Sequence, residues 1–131
     1  LSVITPIKPE KKYYFTATGK GEMIKKQKNL IPLFRLSEYF NIDTEVKTIE
    51  EGIVVLVETG LKKLGIVVDQ LLGQQQIVIK SLKGDMKDIR GISGGAIMPD
   101  GTVALILDIG GLLDISLHKS TELEETNELN N

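Results

Sequence analysis

The residues of this sequence that could do chemistry are few, and they do not form a recognisable catalytic pattern. Asp69 and Asp108 each end a strongly apolar run, and two inward carboxylates could serve as general acid and base. Neither has a histidine near it in the sequence, because the one histidine is His118, and the chain has no cysteine. An aspartate at the end of a strand more often caps the segment that follows, and we favour that role. The sequence therefore predicts neither catalytic residues nor a metal or cofactor site.

Two glycine-rich loops raise the question of phosphate binding. They are Gly19-Lys20-Gly21 and the segment Gly91-Ile92-Ser93-Gly94-Gly95. A P-loop needs four residues between its first glycine and Gly-Lys-Ser/Thr, and a dinucleotide site needs a helix after its glycines. The second loop is followed by Ala96-Ile97-Met98, which favours a strand. Turn glycines are the better interpretation of both loops.

The length and composition indicate what class of protein would have to position these residues. The chain has 131 residues, of which 41% are hydrophobic and 26% charged, as expected for one globular domain with one or two lobes. No apolar run approaches the roughly 18 residues that cross a bilayer, and residues 1–9 lack the features of a signal peptide. We expect a cytoplasmic protein without direct membrane insertion. Since the first residue is Leu1, the sequence is expected to be part of a longer polypeptide.

Short runs rich in isoleucine and valine predict a mainly all-β fold, a sandwich or a barrel. The predicted strands are Ser2–Ile7, Glu22–Gln27, Leu30–Leu33, Ile53–Glu58, Lys63–Asp69, Gln75–Lys80, Gly95–Met98 and Thr102–Leu107. Two short helices are predicted at Leu36–Phe40, with Ser37 as a cap, and at Ile109–Ile115. The Pro-Asp-Gly sequence between Met98 and Thr102 is a strong signal for a hairpin.

Charge is distributed unevenly along the chain. Residues 1–36 carry eight basic and two acidic side chains, a balance of +6, whereas residues 37–58 carry six acidic and one basic. Such a bipolar surface favours docking to a charged partner, although a solvated face is the plainer explanation. Lys11 and Lys12 are followed directly by the aromatic residues Tyr13, Tyr14 and Phe15, and further lysines occur at 25, 26 and 28. This combination leaves binding of single-stranded nucleic acid as an alternative. The net charge of -2 argues against that alternative.

Two segments carry a family resemblance. Residues 65–76 read Gly-Ile-Val-Val-Asp-Gln-Leu-Leu-Gly-Gln-Gln-Gln, and residues 91–108 read Gly-Ile-Ser-Gly-Gly-Ala-Ile-Met-Pro-Asp-Gly-Thr-Val-Ala-Leu-Ile-Leu-Asp. Together they resemble the CheW-like regulatory domain of the chemotaxis histidine kinase CheA. Asn29–Leu36 looks like the strand and turn before the family's first short helix. The resemblance covers residues 1–116, and residues 117–131 are interpreted as a flexible acidic tail.

The resemblance implies two SH3-like five-stranded β-barrels with short helices, the first strands of the first barrel lying outside this sequence. It also implies a non-catalytic docking domain of a histidine kinase. Its expected partners are the CheW adaptor, the cytoplasmic tip of chemoreceptors and the rest of the kinase chain, at membrane-associated receptor arrays and without nucleic acid. A free-standing CheW-type adaptor is the first alternative, and a nucleic-acid-binding barrel is the second.

Candidate partner-binding residues follow from the same resemblance. We expect apolar anchors near a groove between the barrels, a polar contact beside them, and a hairpin tip that meets the adaptor. These are, in that order, Ile31, Leu33 and Val67; Arg35; and Pro99, Asp100, Gly101 and Thr102. The family often has arginine where this chain has Thr102. Leu33 and Val67 could equally be core residues, and the tip could be only a turn.

Overall fold

The computed structural model describes residues 2–17, 21–82 and 88–116, and their strands belong to two compact units. The first unit includes Leu1–Leu71 and the second comprises Leu72–Leu117. Residues 1, 18–20, 83–87 and 117–131, including His118, lie outside the described residues. The expectation of a flexible tail therefore stays a prediction.

Six strands of the first unit form one sheet in the order β1-β5-β6-β4-β3-β2. Their bounds are Ser2–Ile7 (β1), Tyr14–Ala17 (β2), Gly21–Lys26 (β3), Asn29–Arg35 (β4), Ile53–Thr59 (β5) and Lys62–Val68 (β6). A short helix, α1 (Leu36–Tyr39), follows β4, and single 3-10 turns cover Lys11–Tyr13 and Ile49–Glu51. The pairings are antiparallel except that of β4 with β6.

Strand β4 joins the two parts of this sheet. Its first half pairs with β3 through Asn29 to Pro32, and its second half pairs with β6 through Leu33 to Arg35. Because β4 changes partner along its length, it holds the β2–β3–β4 strands against the β1, β5 and β6 strands. The side chains on the inner side of both parts can therefore share one core.

The core of the first unit is aliphatic. Its buried cluster consists of Ile24, Ile31, Ile49, Val54, Leu56 and Val67. Close packing also explains Gly65 on β6, where a Cβ atom would lie 2.7 Å from Leu33 Cδ2 and 2.9 Å from Val54 Cγ1. Burial of this apolar surface is the main source of the unit's stability.

The second unit contains a smaller sheet of three antiparallel strands in the order β7-β8-β9. The strands are Val78–Lys80 (β7), Ile92–Ile97 (β8) and Val103–Leu107 (β9), and residues 109–116 form a helix, α2. The Asp108 carbonyl accepts a hydrogen bond from Leu112 N, so Asp108 occupies the N-cap position of α2. Capping by its side chain stays a prediction. Leu112 is fully buried and packs over Gly91, which has a positive φ of 90°.

The predicted mainly all-β fold is confirmed. Each predicted strand overlaps an observed one, although the strand predicted at Gln75–Lys80 is shortened to Val78–Lys80, and both helices are present. The prediction missed β2 (Tyr14–Ala17). The predicted cap at Ser37 is wrong, since the N-cap position of α1 is Arg35 and carries no side-chain hydrogen bond. Closure of the sheets into five-stranded barrels stays a prediction.

Candidate docking surfaces

The hairpin tip between β8 and β9 is exposed and rigidly built. Asp100 Oδ1 accepts hydrogen bonds from Thr102 N at 2.9 Å and from Thr102 Oγ1 at 2.6 Å. Two backbone bonds close the turn, from Met98 N to the Thr102 carbonyl and from Gly101 N to the Met98 carbonyl. Gly101 has a φ of 88°, a conformation that glycine adopts without strain. Pro99, Asp100, Gly101 and Thr102 are all solvent-exposed, as a docking loop requires.

The pKa of Asp100 reflects the hydrogen bonds that order this tip. The hydrogen bonds from the hydroxyl and the N–H of Thr102 hold the pKa of the Asp100 carboxyl below its usual value. Asp100 is therefore ionised at neutral pH and presents a fixed negative charge at the end of the hairpin. A partner would meet a preformed acidic loop at this point.

An exposed apolar face lies next to the hairpin tip. Val78, Ile97 and Val103 are directly opposite one another on β7, β8 and β9, so their side chains lie on the same side of the sheet. Leu105 is two residues further along β9 and shares that side. The four side chains, which we call the apolar face, are between 38% and 64% exposed. Lys80 is opposite Gly95 and adds a cation to the same side.

The apolar face has no clear signal in the sequence. Strand alternation indicates which residues of a strand share a side, but it does not indicate which side is covered. The high aliphatic content of β9 favours burial when the sequence is examined alone, yet the face is open in the structure. Contiguous exposed apolar residues on a folded protein commonly mark an interaction site.

Arg35, the predicted polar contact, is tied to another residue of the first unit. Its Nε and Nη2 donate to the two Glu22 carboxylate oxygens at 2.6 and 2.8 Å, and the Tyr14 hydroxyl donates to Glu22 Oε1. The Arg35 and Glu22 side chains are only 13% and 25% exposed. These bonds raise the pKa of Arg35 above its already high value, and burial raises the pKa of Tyr14. A bidentate pair of this kind fixes β3 against β4.

The predicted anchors on β4 and β6 lie in the interior of the first unit. Ile31 is 1% exposed and Val67 is 6% exposed, and both belong to the core cluster. Leu33 is half-buried, packs against that cluster and covers Gly65. Their role as partner anchors stays a prediction. The exposed side chains of the second unit are better placed to contact a partner directly.

The two aspartates that could have served as acid and base have structural partners. Asp69 accepts a hydrogen bond from Thr44 Oγ1 at 2.7 Å in the first unit, instead of capping the segment after it. Asp108 holds the N-cap position of α2 in the second unit. Within the described parts of the chain, no cluster of three or more histidine, aspartate or glutamate side chains is arranged to hold a metal ion. Nor does any helix of those parts have the length and apolar content to cross a membrane.

Comparison with known proteins gives one family. The CheW-like domain family matches residues 4–116 of this chain. That range includes both sheets except Ser2 and Val3 of β1, and it includes the hairpin tip and the apolar face.

Similar proteins extend this result. The chain is 32% identical over 129 residues, 98% of its length, to the sensor histidine kinase CheAY of Helicobacter pylori. It is 31% identical over 85% of its length to the chemotaxis protein CheA of Salmonella typhimurium, and 38% identical over 82% to that of Treponema pallidum. The match covers 16%, 16% and 13% of these relatives, so the chain spans less than a fifth of their length.

Proposed function

Because the chain belongs to the CheW-like domain family, we propose that it is the regulatory and docking domain of a chemotaxis histidine kinase. A CheW-like domain similar to part of CheA proteins acts in chemotaxis signalling. In the proposed role it binds the CheW adaptor and the cytoplasmic tip of chemoreceptors. The domain thereby transmits the receptor signal to the catalytic part of the kinase chain at the cytoplasmic side of receptor arrays.

The apolar face carries this proposal. A stable interface of ordinary size buries about 800 Å² on each partner, with apolar side chains at its centre and polar ones at its rim. Val78, Ile97, Val103 and Leu105 supply such a centre, and Lys80 and the Asp100 loop supply charges beside it. Removing the aliphatic side chains from water stabilises a complex by about 25 cal/mol per Å², before the cost of association is subtracted.

The arrangement of the polar residues also favours a docking role without catalysis. Asp69 and Asp108 are engaged in separate structural roles, and Arg35 is held by Glu22. None of these side chains is arranged with a base and an orienting group around a reacting atom, which catalysis would require. We propose that the domain changes the activity of the kinase only through the proteins it binds.

The proposal is tested by isothermal titration of the chain with purified CheW adaptor, after circular dichroism has shown a folded, strand-rich protein. We expect saturable one-to-one binding with a negative heat-capacity change, because apolar surface is buried. A folded chain that does not bind the adaptor would overturn the proposal.

A second experiment separates docking from signal coupling. A full-length kinase with this domain is reconstituted with adaptor and receptor, and Val103→Asp is introduced on the apolar face. We expect basal autophosphorylation to persist while receptor-dependent stimulation is lost. Stimulation that survives the substitution would show that another surface carries the signal.

A further inference from the structure

A groove of about 590 Å³ lies on the first unit, beside the turn formed by Lys11–Tyr13. It is separate from the hairpin tip and from the apolar face, which belong to the second unit. Lys8, Lys12, Lys25 and Lys26 line it, and we call it the basic groove. The proposed adaptor surface does not include these side chains.

The charge of the basic groove is predominantly positive. Four lysines and one acid, Glu10, line it, which leaves a balance of +3. Lys12 Nζ lies 3.5 Å from Glu10 Oε2, but both side chains are more than 60% exposed, so the pair contributes little and is easily exchanged. Lys8 Nζ donates to the Gly52 carbonyl at 2.9 Å, so the charges of Lys12, Lys25 and Lys26 are the ones left to attract a ligand. Such an arrangement attracts an anionic group.

The groove also has an apolar lining, which indicates a ligand with apolar as well as acidic groups. Ile7, Pro9 and Phe15 contribute to it, and Phe15 remains 45% exposed. Phosphate or another small anion would leave the exposed Phe15 ring in water. A ligand that carries both carboxylates and an aliphatic side chain would satisfy the lysines and cover the apolar lining together.

Single-stranded nucleic acid fits the groove less well than an acidic peptide. Binding to such a strand relies on several aromatic faces on which successive bases stack. Lys12 Nζ lies over one face of the Tyr13 ring, 5.0 Å from the ring centre, and Tyr14 is half-buried with its hydroxyl bound to Glu22. Tyr13 and Phe15 are 42% and 45% exposed, so two aromatic rings of this stretch are open to solvent, and one of them is shared with an ammonium group.

We propose that the basic groove is a second docking site, which binds an acidic protein segment carrying a leucine or isoleucine side chain. The carboxylates of the segment contact Lys12 and Lys25, and its aliphatic side chain covers Phe15. The interaction weakens with salt, because its charges are exposed. It uses side chains of the first unit, whereas the proposed adaptor surface belongs to the second.

The probe is a fluorescent peptide of sequence Glu-Glu-Leu-Glu-Glu-Leu-Glu-Glu, measured by fluorescence anisotropy against the whole chain. The test variant is Lys12→Glu combined with Lys25→Glu, and both side chains are exposed, so folding should be retained. The matched control is Lys28→Glu combined with Lys62→Glu, which changes the net charge equally at exposed lysines that do not line the groove. Circular dichroism compares the fold of all three proteins.

We expect the test variant to bind the peptide roughly tenfold more weakly than the control, since two rim charge pairs are reversed. A peptide with serine in place of leucine should also bind more weakly, and Phe15→Ala should remove that difference. Equal loss in the test and control variants would overturn the proposal, because net charge alone would explain it. Tighter binding of oligothymidylate than of the peptide would overturn it in favour of nucleic acid.

Discussion

Strand β5 of the first unit buries most of its aliphatic side chains, whereas β9 of the second unit leaves several of its own exposed. Val54, Leu56 and Val57 on β5 are at most 1% exposed, but Val103 and Leu105 on β9 are at least 40% exposed. The two strands are similar in composition, so their difference lies in what covers them. We interpret the buried set as the source of stability and the exposed set as the source of binding energy.

We expect the largest change in stability at the most deeply buried side chains of the first unit. Leu56→Ala removes a buried side chain from the core of the first unit and should lower the free energy of unfolding by about 2–5 kcal/mol. Leu105→Ala, in the exposed set, should lower it by less than about 1 kcal/mol. Denaturant unfolding followed by circular dichroism measures both. Equal destabilisation by the two substitutions would contradict the claim that the buried side chains, and not the exposed ones, stabilise the fold.

The second prediction concerns binding. Val103→Asp places a charge at the centre of the apolar face and should weaken adaptor binding at least tenfold, about 1.4 kcal/mol. Val3→Asp is the matched control, because Val3 on β1 has the same 56% exposure. Isothermal titration should show little change for the control. If Val3→Asp weakened binding as much, the interface would have to include the first unit.

A third, smaller effect tests the polar part of the first unit. Glu22→Gln removes the charge that holds Arg35, a side chain that is mostly buried, and should destabilise the protein by about 1–3 kcal/mol. Glu10→Gln removes the exposed partner of Lys12 and should cost less than about 1 kcal/mol. Thermal unfolding of both variants makes the comparison. Adaptor binding should be unchanged in Glu22→Gln, and a loss would show that Arg35 acts at the interface.

The smallest effect is at the hairpin tip. Since hydrogen bonds from Thr102 lower the pKa of Asp100 in the folded state, its contribution to stability is present above the ordinary aspartate pKa and is lost as the pH falls through the lowered value. Thr102→Ala removes one donor and should raise the pKa of Asp100 towards its ordinary value. Carboxyl chemical shifts measured by NMR across acidic pH report the change. An unchanged pKa would mean that the backbone N–H alone orders the turn.

Local patterns in the sequence predicted the elements that depend on local chemistry. The β8–β9 hairpin follows from Pro99, Asp100 and Gly101, whose conformational preferences suit a turn regardless of what surrounds them. The N-cap position of Asp108 is local in the same sense. Strand β2 also had a local signal, since Tyr14, Phe15 and Thr16 all favour strands. The sequence analysis instead interpreted these aromatic residues as part of a basic and aromatic binding stretch.

Such local patterns do not predict contacts between residues that are far apart in the sequence. Glu22 and Arg35 are on neighbouring strands but 13 residues apart, and only the β3–β4 pairing brings them together. For the same reason the sequence could not separate the buried Ile31 from the exposed Val103, because both are β-branched residues in apolar runs. The candidate docking surface therefore shifted from the predicted anchors of the first unit to the apolar face of the second.

The central claim is that the second unit carries the adaptor-binding surface. Hydrogen–deuterium exchange of the chain, with and without saturating CheW adaptor, tests it most directly because it reports on both units at once. We predict slower exchange in the β8–β9 hairpin and in β7, with unchanged exchange in β1 and β5. Protection confined to the first unit, or no protection at saturation, would contradict the claim.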